Sequence, residues 1–500
     1  MRTLPAHNRP PSGGSAQDMN ATTLDAAAAV TARRNRLVIN LLLVSAFVVI
    51  LNETLMGVAI PRLMESLGVT AAAAQWVTSA FLLTMAIVIP MTGFLLQRLH
   101  TRVIFTLAMS LFSIGTLAAT LAPGLELLVV ARVIQASGTA IMMPLLMTTV
   151  MTLVPQETRG KTMGNITMVI SVAPAIGPVI SGLILNYLHW RWLFVLMLPI
   201  ALGSLWLGWR RIENVTTPRD APLDIASVVL SVFAFGGSVY GLSLLGVPPV
   251  PGQPPAWAPL AIGGVAMIVF VRRQLTLQRT NAALLDLRVF ASRNFTVSLL
   301  LFAILMLVLL GTIIVLPIYL QNVLNISTLQ TGLLLLPGGL LMGRLGQRAG
   351  AWYDRIGPAK LVIPGVVIVT AVLWAMTLLG TQSRVEYILL GHIVMSVGFG
   401  LLFTPLFTVS LSSVRPELYS HGSAVLGSLQ QVAGAAGVAL FVALMTAQST
   451  RLAAAGMAPV EALASGVRAA FICGAVFGLA AVACSFLVRK PEAPAVPGAH

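Results

Sequence analysis

Charge is what this sequence has least of. Only 9% of its 500 residues are Asp, Glu, Lys or Arg, against about 25% in a soluble domain. Such a chain cannot cover itself with a solvated shell, and its 57% hydrophobic content marks an integral membrane protein. Cysteine is nearly absent. Cys473 and Cys484 are separated by 11 residues, about 16 Å of helix, too far for a disulfide, so both read as packing thiols. Acids are scarcer than bases, 15 against 30, for a net charge of +15. No basic and aromatic stripe accompanies that excess, which sets nucleic acid aside as a partner. The sequence has no His-Glu-x-x-His, no metal-ligand cluster and no nucleotide-binding loop, so neither an enzyme active site, a metal site nor an internal ATP motor is supported.

What is present is a series of apolar runs divided by short polar turns. They fall at about 37–60, 74–96, 103–121, 125–149, 162–186, 192–210, 223–245, 257–271, 295–317, 329–349, 361–380, 386–410, 423–446 and 468–488. Each approaches the roughly 20 residues a transmembrane helix needs; the run at 257–271 is the shortest. The expectation is an all-α integral membrane protein with 14 transmembrane helices. With the N-terminus inside, Arg62, Arg191, Arg384, Arg451 and Arg468 are the basic residues of the outer loops. Arg132 and Arg344 lie within helices, and every other Lys and Arg falls inside. That asymmetry predicts cytoplasmic termini and explains the basic balance by topology. Residues 1–36 read as a disordered cytoplasmic tail with no signal-like apolar core, and 489–500 as a cytoplasmic C-tail.

The chain also repeats. Gly93 and Arg98 close the second run as Gly350 and Arg355 close the tenth, each pair 257 residues apart. The same offset carries the start of the first run to the start of the ninth. Two six-helix bundles, 37–211 and 295–488, therefore flank an inserted helix pair and linker at 212–294. Repeated bundles around a midplane site are the architecture of secondary transporters.

The first run contains Leu51-Asn52-Glu53-Thr54-Leu55-Met56-Gly57-Val58-Ala59-Ile60-Pro61. Glu53 is the one deep acid of the chain; Glu126, Asp224 and Glu386 sit at the ends of runs, and the others in tails or loops. A carboxylate at membrane depth is costly and marks a functional site or a packing partner. Arg132, in Ala131-Arg132-Val133-Ile134-Gln135-Ala136-Ser137-Gly138, falls at a similar depth. A carboxylate that alternates between a guanidinium neighbour and dry surroundings can bind and release a proton; Arg132 as a hub for backbone carbonyls is the plainer alternative. His392, within the twelfth run, is the other titratable candidate, or a hydrogen-bonded packing residue. In the fifth run, Ala173, Gly177 and Ser181 share one face, beside a row of Pro174, Pro178 and Gly182. Small residues permit close helix approach and prolines permit kinks.

These motifs, in this order over about 37–490, resemble the major facilitator superfamily, and within it the fourteen-helix drug:proton antiporters. That group's first-helix motif runs Leu-Asp-x-Thr-Ile-Val-Asn-Val-Ala-Leu-Pro; here Asn52 occupies the Asp position and the acid is one residue on, at Glu53. Gly177-Pro178 matches the exporter motif of the fifth helix. The loop motif Gly-x-Leu-Ala-Asp-Arg-x-Gly-Arg-Lys is matched by Gly93, Leu95, Arg98 and Arg102, with Gln97 and His100 replacing the Asp and second Gly. Its second copy keeps Gly350, Asp354, Arg355 and Gly357.

The resemblance implies a proton-coupled exporter of hydrophobic or amphipathic small molecules, neutral or singly cationic, in a bacterial inner membrane. Its implied drive is the proton gradient without a cofactor. Its implied partners are small-molecule substrate, protons and the bilayer, the protein acting as a monomer or with envelope partners. Glu53, Arg132, Asn52 and His392 are the coupling candidates. Gln135, Trp76, Tyr319, Gln321, Gln430 and Gln431 either line the cavity or join helices. Gly93, Arg98, Arg102, Pro174, Gly177, Pro178, Gly350, Asp354, Arg355 and Gly357 are the gating candidates. Export of an endogenous lipid or metabolite, and a channel or membrane sensor, are the competing readings.

Overall fold

The computed structural model describes residues 16–214, 218, 222–245 and 254–491. The helices are α1 Ala16–Leu67, α2 Ala71–Arg98, α3 Thr101–Leu121, α4 Leu125–Leu153, α5 Arg159–Tyr187 and α6 Trp192–Arg211. Next come α7 Ile225–Ser243, which is π-helical over Val232–Gly236, and α8 Trp257–Leu277. The chain continues with α9 Arg293–Asn322, α10 Thr328–Ile356, α11 Ala359–Met376, α12 Val385–Ser412, α13 Tyr419–Ala454 and α14 Pro459–Ser485. No strand occurs among the described residues.

Among the described residues, thirteen helical segments are long and apolar enough to cross a membrane. The exception is α10, whose second half carries Arg344, Arg348, Asp354 and Arg355. Polar caps set several ends: Thr70 Oγ1 accepts the Ala73 amide at the start of α2, and Ser327 and Gln330 form a capping box at the start of α10. Gly357, at φ 79°, ends α10 in a conformation few other residues tolerate.

Two sequence expectations are corrected here. Residues 16–36, read as part of a disordered tail, extend α1 at its N-terminus; their alanines are the strongest helix formers. Residues 1–15 and 492–500, the rest of the tail readings, lie outside the described residues. The short run at 257–271 extends to Leu277, because Arg272, Arg273 and Gln274 continue the helix beyond the apolar stretch.

In the first set of helices, α4 packs on α2 and α3, α1 on α5, and α3 on α6. In the last six, α12 packs on α10 and α11, and α13 on α9 and α14. The sets meet chiefly along α5 with α10 and α2 with α13. The α7–α8 pair packs on itself and, through α7, against α2 and α13. Arg273 clamps Asp224 at 2.7 Å through both Nε and Nη2. Fully buried Gln274 ties Ser227 to the amides of Leu284 and Leu285, fixing the linker to the pair. Outward faces carry large apolar side chains such as Ile262, Val265, Leu479 and Ile114, as lipid contact requires.

Candidate functional site: a half-buried carboxylate above a sealed face

Glu53 lies mid-way along α1 and is half-buried. Among the described residues its carboxylate makes no hydrogen bond and no ion pair within 4.0 Å; Arg132 acts on it through space. Its neighbour Asn52 is 1% exposed, with Nδ2 unpartnered. One residue is about 100° of helix turn. The one-position shift of the acid thus leaves the amide in the packed interior and puts the carboxylate where it is partly open.

Arg132 is fully buried on α4. Its Nε donates to the Val77 carbonyl of α2 at 3.3 Å, and Nη1 to Gln135 Oε1 at 2.5 Å. Gln135 Nε2 passes the chain to Thr116 Oγ1 of α3 at 2.7 Å. The guanidinium carbon sits 4.0 Å from the Phe81 ring centroid, and Nη2 has no partner. Arg132 therefore ties α2, α3 and α4 together while Nη2 remains without a partner. Gln135 is fully buried and holds Arg132 Nη1 and Thr116 Oγ1 together.

The small face of α5 meets α1 beside the acid. Gly177 leaves no room for a Cβ against Thr54 Oγ1, and Ser181 Oγ donates to the Leu55 carbonyl at 2.8 Å. Pro174 is exposed and Pro178 half-buried on the adjacent row, where each removes a helical hydrogen bond without an interhelix clash.

The face bearing most of the basic residues is sealed. Asp354 of α10 accepts the Gly160 and Lys161 amides, both at 2.9 Å, at the start of α5. Gly350 and Gly160 touch backbone to backbone. Gln347 donates to Asn165 at 3.0 Å, Thr404 Oγ1 to Thr167 Oγ1 at 2.7 Å, and Thr148 pairs with Ser423 at 2.9 Å. Arg159 reaches Tyr419 Oη at 3.3 Å. The first-half copy is looser. A Cβ on Gly93 would lie 3.0 Å from His421 Nδ1, and Gln97 donates to the Glu417 carbonyl only at 3.4 Å. Arg98 lies over Phe94, and Arg102 over Trp209. Arg355 is exposed at the end of α10, before the Gly357 cap. Sequence reasoning missed Thr148, Thr167, Thr404 and Ser423; hydroxyls in these helices look the same whether they bond their own backbone or a facing helix.

Other candidates lie elsewhere. Trp76 packs on Tyr240 of α7, ring centroids 5.8 Å apart, so it faces the helix pair and not a central cavity. Tyr319 is fully buried and its hydroxyl donates to the Gly380 carbonyl at 2.6 Å; it is a helix-end anchor. His392 Nε2 pairs with the Leu335 carbonyl at 3.1 Å in the α10–α12 contact, where Gly338 packs on its ring. Its Nδ1 is buried without a partner. Gln431 Nε2 reaches Met85 Sδ of α2 at 3.9 Å; Gln430 and Gln321 are half-buried.

A cavity of about 780 Å³ opens on the basic face between the linker, Gln97 and the start of α13. Its floor holds Asp286, 3% exposed, bound by Arg288. Burial, the largest single influence, pushes the Asp286 carboxyl up, but the hydrogen bonds from Arg288 and the charges of His421 and Arg288 together hold it below the usual carboxylate range.

Residues 42–438 match the description of the Major Facilitator Superfamily. The chain belongs to that superfamily. It is a transporter and not an enzyme. An uncharacterized MFS-type transporter, YcnB of Bacillus subtilis, is 38% identical over 92% of this chain and 96% of its own length. The lincomycin resistance protein LmrB of Listeria monocytogenes is 36% identical over 90% and 96%. A multidrug resistance protein B homolog of Mycobacterium tuberculosis is 29% identical over 79% and 73%. Among solved structures, the human organic anion transporter MFSD10 superposes with a TM-score of 0.65 at 16% identity, covering 90% of this chain and 99% of the other. The proton:xylose symporter XylE gives 0.63 at 14%, covering 92% and 97%. These two likenesses speak for the fold alone.

Proposed function

We propose that this transporter is a proton-coupled antiporter that exports hydrophobic or amphipathic small molecules by alternating access, using the proton gradient and no cofactor. The observation that carries the reading is Glu53: a lone, partly open carboxylate at membrane depth, in the field of the fully buried Arg132. A group so placed exchanges a proton with one side of the membrane, and a change in its distance from Arg132 alters its hold on that proton. The names of its relatives, which speak of lincomycin and multidrug resistance, support drug-like cargo. In this reading α10 also spans the bilayer, giving 14 transmembrane helices with the α7–α8 pair inserted between two six-helix bundles. The basic face is cytoplasmic, both termini lie there, and the membrane is the bacterial inner membrane.

The test is dye efflux from energised cells expressing wild type, Glu53→Gln and Arg132→Ala, with and without a protonophore. Proton antiport through Glu53 requires that the protonophore stop wild-type efflux and that correctly inserted Glu53→Gln be inactive. Uphill efflux by Glu53→Gln with unchanged pH dependence would make the acid structural and move the coupling site elsewhere.

A further inference from the structure

The one helix too polar to qualify as a membrane span, α10, presents its charge in an unexpected direction. Its contacts fix its orientation. Gly339, Gly343, Gly346 and Gly350 meet Ala175, Val172, Thr167 and Gly160 of α5, while Gly338 and Leu345 meet His392 and Gly400 of α12. At about 100° per residue, Arg344, Arg348 and Arg355 fall on the side turned away from both partners, and all three are exposed. The same side carries Leu333 and Leu340, 51% and 39% exposed, so it is a lipid-facing surface. Arg344 is 11 residues from Arg355, about 16 Å deeper along the helix. Among the described residues neither Arg344 nor Arg348 has an ion pair or hydrogen bond.

The internal repeat sharpens the contrast. At the 257-residue offset, Leu333, Leu340 and Arg344 correspond to Trp76, Leu83 and Ile87 of α2. There α7 covers the surface: Tyr240 packs on Trp76, and Gly236 on Ile87 and Leu83. On α10 none of the described residues covers the equivalent face, and it has gained arginines. An arginine at that depth in hydrocarbon is costly, and snorkelling recovers only part of the cost.

We propose that the α10 face bearing Arg344 and Arg348 binds the headgroup of an anionic phospholipid. The two guanidinium groups are one turn apart, a spacing that suits bidentate contact with a phosphate, and the leucines further along α10 take the acyl chains. The inference needs only that α10 contacts lipid, and stands apart from the proton-coupling reading.

The experiment is native mass spectrometry of the purified full-length protein titrated with phosphatidylglycerol or phosphatidylcholine. Wild type is expected to prefer phosphatidylglycerol. Arg344→Leu should weaken that binding about fivefold, and Arg344→Leu with Arg348→Leu about 25-fold, from the usual strength of a basic residue at an anionic membrane surface. Phosphatidylcholine binding should not change. Arg344→Gln reads the same loss should the leucine variant fail to fold. Inorganic phosphate should not compete, lacking acyl chains; competition would overturn the lipid assignment. Equal phosphatidylglycerol binding by wild type and the double variant also overturns the proposal. So does loss of a dimer peak in the double variant with lipid binding intact, since the face would then dock a second copy.

Discussion

Asp354 and Gly160 meet across the sealed basic face, the carboxylate of α10 accepting the first free amides of α5. An ionised acceptor at a helix N-terminus combines charge-assisted hydrogen bonds with the helix dipole. At the repeat-related position Gln97 offers no charge and reaches a carbonyl at 3.4 Å. The seal is therefore lopsided, and α5–α10 is its strong side.

Removing that charge should open the basic face. Asp354→Asn keeps the shape but loses the charge and one acceptor, a weakening of about 1.5–3 kcal/mol, or a shift of about ten- to a hundredfold in the open-to-closed ratio. Spin-label distances between Lys161→Cys and Arg355→Cys should show a longer population in Asp354→Asn. Gln97→Ala should change its own pair, between the ends of α2 and α13, by about 0.5 kcal/mol or less, since its bond is long and exposed. Identical distance distributions for wild type and Asp354→Asn would remove Asp354 from the gate.

Gln135 should matter through Arg132. Gln135→Leu fills similar space but leaves Arg132 Nη1 and Thr116 without their buried partner, which costs about 1–3 kcal/mol. The melting temperature should fall clearly, while Gln430→Leu, half-buried on α13, should leave it nearly unchanged. A Gln135→Leu protein as stable as wild type would mean the chain from Arg132 to Thr116 contributes nothing net.

The fold was largely legible in the sequence, because a bilayer demands long apolar helices and the runs announce them. Gly93 and Gly350, paired by the 257-residue offset, each lie at a close helix crossing. What the sequence left open was direction. Gln135, Trp76 and Tyr319 are polar or aromatic residues within apolar runs, and each suits a cavity or a helix contact equally well. The packed rotation of α4, α2 and α9 gives each of the three a contact outside its own helix. The linker acid Asp286 was passed over because its burial depends on a cavity wall formed by α13, more than a hundred residues away. Asn52 and Glu53 show the same limit in one step of chain: adjacent residues, about 100° apart, one packed and one half-buried.

The contact between α5 and α1 beside Glu53 predicts a rescue. Gly177→Ala places a methyl on Thr54 Oγ1, forcing α5 away from α1 and lowering stability by about 1–3 kcal/mol. The obstructing atoms belong to the Thr54 side chain, so Thr54→Ala should restore much of the loss in the double variant. A double-mutant cycle on thermal stability measures this coupling. Strict additivity would show that Gly177 is needed for helix bending and not for clearance.

Asp224 allows a prediction with a pH signature. It caps α7 through the Ser227 amide at 2.9 Å and takes both nitrogens of the Arg273 fork. The hydrogen bonds from Arg273 outweigh the opposing effect of burial, with Ser227 adding to them, and hold the carboxyl well below its usual range. A group whose folded pKa is depressed adds stability above its unfolded pKa and loses it as pH falls through the folded one. Asp224→Asn should therefore cost about 1–2 kcal/mol at neutral pH, a modest figure because Arg273 is 40% exposed. The difference in melting temperature from wild type should hold steady from pH 8 to about 5 and narrow only below about 4, where the unfolded carboxyl takes up its proton. A gap that closes already near pH 6 would mean the stabilisation comes from another group, and the clamp between α7 and α8 would then rest on Gln274 and Ser227 alone.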